Sequence, residues 1–333
     1  MSPPHPLVPP SGRPTPTRVD RPDVSFVIPV YNAEPWLEAC VVSALAQTQV
    51  HVEVICVDDG STDRSREILR RLAQADPRVT IIDQPNSGQS VARNRGLDAA
   101  TGRYLVYLDS DDYWSADVLS KLVRRADREH LDVLMFDCAA FPEGDIDETT
   151  WRWYSTYYQR SRPYVRSRSG AQLMADMRRN TDYRPHVGLY LARTGYVRDT
   201  SMRFIPGIVH QDNPYTFRLL LNARRVAHLA VDAYARRIRP GSTITSLTSE
   251  RSAKGYFLSF VEMNREVAAR ELPVDITDPI HNIVGYVWEG ARKQFSLLSD
   301  QAVDEIGELD RSADAVAAFN SLKTGVPPAF WSR

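Results

Sequence analysis

Cysteine is scarce in this 333-residue chain: Cys40, Cys56 and Cys138 are the whole complement. They are far apart and each sits among apolar residues, so there is no CxxC metal pattern and no disulfide framework. Such usage fits reduced structural thiols in a reducing compartment. No stretch approaches 18 uninterrupted apolar residues, so no transmembrane helix is expected. The opening "MSPPHPLVPPSGRPTPTR" lacks the apolar core of a signal peptide. Residues 1–22 read instead as a disordered Pro-rich leader. Neither charge sign is in excess, with 41 Lys and Arg against 42 Asp and Glu. No global field therefore points to nucleic acid or a membrane surface, and a charged partner must meet a local patch. The sequence also lacks internal repeats, a GxGxxG after its first strand and a GxxxxGK[ST] loop, which excludes a dinucleotide fingerprint and a P-loop.

What is present is an ordinary globular composition, 43% apolar and 25% charged, at a length that allows one elaborated α/β domain or two domains. From residue 24, short apolar runs alternate with helical periodicity. "VSFVIPV" (24–30), "EVICVDD" (53–59), "VTIID" (79–83), "RYLVYLD" (103–109) and "DVLMF" (132–136) read as strands. Helices are expected from about Pro35, after "GSTD", over "SVARNRGLDAA", and through Val118, Leu119, Leu122 and Val123. Strands that are apolar without alternating predict a parallel sheet covered on both faces. Beyond about residue 140 the pattern weakens. "HQDNPYTFRLLLNARRVAHL" (210–229) reads as a short loop and a helix, "RRIRPGSTIT" (236–245) as a basic turn, and the remainder as helical.

"VYLDSDDYW" (106–114) sets Asp109, Asp111 and Asp112 at the end of a buried strand. Like charges that close need an offsetting partner, and a salt bridge, a helix N-terminus and a divalent cation all qualify. Asp112 suits the following helix as a cap. Two carboxylates one residue apart at a strand end suit a hard cation such as Mg²⁺ or Mn²⁺. Other polar strand ends, Asn32 with Glu34 and Asp58 with Asp59, would converge on the same crevice, where doubly wound sheets bind ligands. That convergence favours the cation as what relieves the repulsion.

Four blocks in order, "VSFVIPVYNAEPWL", "VICVDDGSTDRS", "NSGQSVARNRGLDAATGRYLVYLDSDD" and "HQDNPYTFRLL", resemble the inverting glycosyltransferases of family 2. The likeness is dense from Val24 to Lys121, returns near 210–220 and 234–245, and covers about half the chain. It implies the GT-A fold, a mostly parallel sheet with helices on both faces. It also implies a nucleotide-sugar donor, UDP being favoured, whose diphosphate is bridged by Mn²⁺ or Mg²⁺. By this resemblance Pro29, Val30, Tyr31, Asn32 and Glu34 line the nucleoside pocket. Asp59 meets the base edge with Arg93 close by, and Gly88 and Ser110 flank the donor. Asp109 faces the ribose or the metal through water, while Asp111 ligates the metal. Asp212 is the base that takes the acceptor proton, preceded by Gln211 where the family commonly has Glu. Arg236, Arg239 and Ser242 fold over the diphosphate. His210 is either a third metal ligand, a neighbour of the acceptor, or structural.

The expected organisation is a GT-A domain over 23–250, with a nucleotide half to residue 140 and an acceptor half from 141. Helices from 251 to 333 form an appendage or an oligomer contact. The acceptor is a hydroxyl of a glycan, a lipid-linked glycan or a small molecule, met in the cytoplasm or at the inner face of the membrane. The segment 151–170 interleaves aromatics with arginines, which suits sugar stacking or an anionic ligand; nucleic acid is not expected. Two other functions fit less well. A nucleotidyltransferase predicts a Gly-rich basic loop after strand one, but "PVYNAEPW" has neither Gly nor Lys. A non-catalytic sugar-nucleotide binder predicts loss of Asp111 or Asp212, and both are present.

Overall fold

A computed structural model describes residues 21–240 and 249–327. Most of the Pro-rich leader and Ser242 lie outside the described residues. Strand β1 (Val24–Val30) is buried at all seven positions, as a strand covered on both faces must be. It is flanked by parallel strands β2 (Val52–Asp58) and β4 (Tyr104–Tyr107), and β3 (Val79–Asp83) follows beyond β2. Helices α1 (Leu37–Leu45), α2 (Ser65–Ala75) and α3 (Gln89–Ala99) make the connections. The chain first builds outward through β2 and β3 and then returns to the other side of β1 with β4. The carboxyl ends of β1 and β4 therefore bound a crevice at the point where strand order reverses.

The second half adds β5 (Tyr113–Trp114), α4 (Leu119–Glu129), β6 (Val133–Pro142), α5 (Glu148–Tyr157) and α6 (Gly170–Arg179). Then come β7 (Tyr190–Arg193), α7 (Thr194–Asp199), α8 (Asp212–Leu221) and β8 (Val226–Ile238). The strand order is β3-β2-β1-β4-β7-β6-β8-β5. Strand β7 runs antiparallel to both β4 and β6, and β5 antiparallel to β8, so the sheet is mixed. Two readings of 210–245 are corrected. The helix stops at Leu221, and 226–238 is a thirteen-residue strand that includes Arg236 and Arg237. Its register against β6 shifts near Asp137, and its burial is continuous at the start and broken in the middle. It therefore shows neither a clean alternation nor an unbroken apolar run.

The C-terminal helices α9 (Ser249–Ala268), α10 (Val274–Phe295), α11 (Asp300–Gly307) and α12 (Ala313–Thr324) are not an appendage. Helix α9 packs on α8 and α10 on α6, and Phe257, Phe260 and Trp288 join the same core as the sheet. All three cysteines are buried free thiols. Among the described residues no helix is long and apolar enough to cross a membrane.

Helix α6 docks on α8 through Gly170. The Gly170 amide donates to the Ala223 carbonyl at 2.8 Å, and an added Cβ would overlap the Leu220 carbonyl, a backbone group that cannot rotate away. Gly170→Ala should cost about 1–3 kcal/mol. The check is a lower denaturant midpoint at unchanged slope; an unchanged midpoint would show that this contact does not set the docking of α6.

Candidate active site

A cleft of about 1380 Å³ opens beyond the carboxyl ends of β1, β2 and β4. Its floor is the chain that follows each strand, and its far walls come from α5, α8, the end of β8 and the C-terminal helices.

On the β1–β2 side, Pro29, Val30, Tyr31 and Asn32 line the cleft. Asn32 takes a left-handed φ of 49°, and its Oδ1 accepts from the Thr62 amide at 2.8 Å. Tyr31 is half exposed. Glu34 does not line the cleft; its carboxylate turns away to Arg64 at 2.6 Å, because the first turn of α2 offers it a guanidinium and the Arg64 amide together. Asp59 is buried and accepts from Gln84 Nε2 (2.7 Å), the Ser87 amide (2.7 Å) and the Gly88 amide (2.8 Å). It thus fixes the loop that ends in Gly88, whose φ of 90° launches α3.

The three carboxylates after β4 each have their own protein partner. Asp109 accepts from Arg93 Nη2 at 2.7 Å and from Gln89 Nε2 at 3.2 Å. Asp111 pairs with Arg239 at 3.0 Å. Asp112 is buried, and it accepts from the Tyr234 hydroxyl and the Arg237 amide, both at 2.7 Å. One reading is corrected here. Asp112 does not cap a helix: α4 begins without a side-chain cap, because Tyr113 and Trp114 leave as strand β5 and carry Asp112 against β8. Arg93, Arg239 and the Tyr234 hydroxyl each meet one of the three carboxylates, but the repulsion from Asp109 persists at Asp111.

Arg93 also differs from expectation. It engages Asp109 and, at 3.5 Å, Asp212, rather than Asp59. Its side chain is 1% exposed, with the guanidinium 5.1 Å from the Phe204 ring centre. Asp212 opens α8, with its carboxylate at the cleft. Burial raises the Asp212 pKa, and nearby Asp109 adds to the rise, against the pull of Arg93. At Asp109 burial pushes the same way, but Arg93, His186 and Arg236 outweigh it and the pKa falls. At Asp111 burial and repulsion from Asp109 win over Arg239 and Arg236, so its pKa rises.

The end of β8 carries cations to the cleft. The Arg236 guanidinium lies 4.9 Å from the Tyr158 ring, and among the described residues no carboxylate forms an ion pair with it. Arg239 lies 4.0 Å over Trp36. His210 bonds Ser252 Oγ at 2.7 Å, stacks on Tyr256, and is held neutral by burial, with a pKa near 4. Among the described residues no group of three or more His, Cys, Asp or Glu is disposed to hold a metal, and His210 lines the cleft. Gln211 meets the Gln89 amide at 2.7 Å.

Sequence reasoning missed His186. It is 96% removed from solvent by its 4% exposure, yet it lines the cleft between Tyr158 and Tyr234. Its Nδ1 accepts from the Gly188 amide at 3.0 Å, which puts the proton on Nε2. That nitrogen has no partner among the described residues. Nothing in "RPHVG" distinguishes it from a core histidine.

Residues 25–183 match Glycosyl transferase family 2. That segment belongs to the family. It is similar to the glycosyltransferase EpsJ of Bacillus subtilis, 32% identical over 222 residues, 66% of this chain and 62% of that protein. It is also similar to the glycosyltransferase YibD of Escherichia coli, 28% identical over 326 residues, 93% and 91% of the two chains. Two solved structures share its GT-A fold. Staphylococcus aureus TarS 1-349 in complex with UDP superposes with a TM-score of 0.61 at 20% identity, over 90% of this chain and 80% of that one. A Pyrobaculum calidifontis mannosyltransferase with GDP-Man and Mn²⁺ gives 0.57 at 16% identity, over 96% and 84%.

In this glycosyltransferase a buried guanidinium holds two carboxylates from different elements. Arg93→Met would strand both, and breaking a buried pair costs about 3–5 kcal/mol. Thermal unfolding should fall accordingly; a variant as stable as the parent would show that Asp109 and Asp212 need no counter-charge.

Proposed function

We propose that this glycosyltransferase moves a sugar with inversion from a UDP-sugar to an acceptor hydroxyl, with Asp212 as the base. The observation that carries the reading is the placement of Asp212 and the Asp109–Asp111 pair in one cleft, joined through Arg93. The acceptor oxygen attacks the anomeric carbon opposite the leaving diphosphate. As that bond forms, the hydroxyl proton passes to the Asp212 carboxylate and the bond from the anomeric carbon to the diphosphate oxygen breaks. Negative charge then grows on the diphosphate, where Arg236 and Arg239 supply guanidinium donors suited to phosphate. The His186 Nε2–H is a further neutral donor in the same wall.

The donor set fits a hard cation. Mg²⁺ and Mn²⁺ commonly use one or two protein carboxylates and take the rest of their shell from water and substrate phosphates, so two carboxylates suffice. Asp111, seconded by Asp109, would hold the ion. When bound it would neutralise charge on the diphosphate. The acceptor is a hydroxyl of a glycan, a lipid-linked glycan or a small molecule.

Asp212→Asn should retain UDP affinity and lose transfer by about 10²–10⁴-fold; surviving transfer would put the base elsewhere. The base works only when deprotonated, so activity is lost as pH falls through its pKa. Because burial raises that pKa, the acid limb should lie above the ordinary carboxylate value of about 4. A parent enzyme with an acid limb below that value would contradict the assignment.

Asp111→Asn has a different signature. Isothermal titration of UDP with and without Mn²⁺ should show a metal-dependent gain in the parent that the variant loses. UDP binding that is indifferent to Mn²⁺ in the parent would remove the cation from the reading.

A further inference from the structure

Helix α5 (Glu148–Tyr157) has four aromatic residues in ten, yet none of its residues is buried. Thr150, Trp153, Tyr154 and Tyr157 stand at i, i+3, i+4 and i+7, the spacing that ordinarily marks the stripe packed on a core. All four line the cleft, while Tyr154 and Tyr157 also pack, partly buried, against the core. Trp153 remains 62% exposed, and its ring centre lies 5.5 Å from that of Tyr157 at a tilt of 34°. Helix α10 contributes Tyr286 to the same cleft, 66% exposed. Exposed aromatics gathered on a concave surface mark a binding surface, whereas scattered ones need no explanation.

We propose that this aromatic mouth between α5 and α10 is a carbohydrate subsite that holds the sugar rings of the acceptor. It rests on the transferase reading above and narrows the acceptor to a glycan-bearing one. A pyranose presents a C–H face that packs on an aromatic ring and hydroxyl edges that meet tyrosine O–H groups. The mouth is continuous with the centre holding Asp212, as a chain whose end hydroxyl is attacked by the donor requires. The cleft also exceeds the roughly 300–1,000 Å³ typical of a single small-ligand pocket, leaving room beyond the donor.

The arginines of this segment decide against an anionic ligand. None of the five between 151 and 170 lines the cleft. Arg160 is spent on Asp137 at 2.8 Å and Arg168 on Asp176. Of the aromatic and basic motif, the aromatic half faces the cleft, and Asp145, Asp147, Glu250 and Glu305 set against Arg251 and Lys254 leave the rim without a cationic excess.

The test applies the full-length protein, with UDP and Mn²⁺, to an array of neutral and acidic oligosaccharides, followed by titration of the strongest binder. At least one oligosaccharide should bind, and Trp153→Ala and Tyr286→Ala should each weaken it by about tenfold. These side chains are exposed, so unchanged melting temperatures separate lost contact from lost fold. Equal binding by the variants, no oligosaccharide bound by a parent that does bind UDP, or binding of phosphatidylglycerol vesicles in its place would each overturn the subsite. A parent that fails to bind UDP would instead strike at the transferase reading.

Discussion

Arg93 is the constraint on which the site depends. The buried Arg93 guanidinium must lose its hydration, and the carboxylates of Asp109 and Asp212, with the Phe204 ring, offset that cost. One of them follows β4 and the other begins α8, so a single cation ties the sheet end to the helix that carries Asp212, the proposed base. Its grip is unequal, 2.7 Å to Asp109 and 3.5 Å to Asp212. Burial opposes ionisation at both, but it is overcome at Asp109 and prevails at Asp212. One carboxyl is therefore held as an anion, while its neighbour becomes a stronger proton acceptor. Pairs of acids whose surroundings push their pKa values apart are how one site assigns two roles.

Strand β8 completes the arrangement from the opposite side. Tyr234 and the Arg237 amide hold Asp112, and Arg239 holds Asp111. The stretch after β4 is thus clamped residue by residue, with Asp112 serving the clamp and Asp111 facing the cleft. Arg236 is left over on the same strand, leaning on Tyr158 rather than on a carboxylate. A guanidinium that forms no ion pair among the described residues, near acids that already have partners of their own, leaves this end of the cleft able to accept negative charge.

The parts of this molecule that were legible in the sequence are those whose cause is local. Strands β1, β2 and β4 are buried along almost their whole length and so appear as apolar runs, and their polar ends mark the crevice. Strands β5 and β7, at two and four residues, are too short for any periodicity. The partners of Asp112 lie more than 120 residues along the chain, and Asp212 is 119 residues from Arg93. No spacing rule reaches that far. Glu34 was misplaced for the opposite reason, because a nearer partner, Arg64, outbid the cleft. His186 was invisible since a histidine that donates into a cleft and one that sits in a core have the same sequence signature.

Helix α5 shows how such a mismatch can be informative. Its stripe of Thr150, Trp153, Tyr154 and Tyr157 has the period of a core-facing helix, and its residues are nonetheless all at least partly exposed. Sequences that fold well keep local pattern and burial in agreement, and departures concentrate where function imposes its own demand. Leaving Trp153 and Tyr286 exposed forgoes about 25 cal/mol for every Å² of apolar surface that packing would have removed. A ligand with an apolar face would recover part of that on binding. The polar end of the cleft is already built from paired charges, so the unpaired aromatic end is where an uncharged, ring-bearing partner gains most.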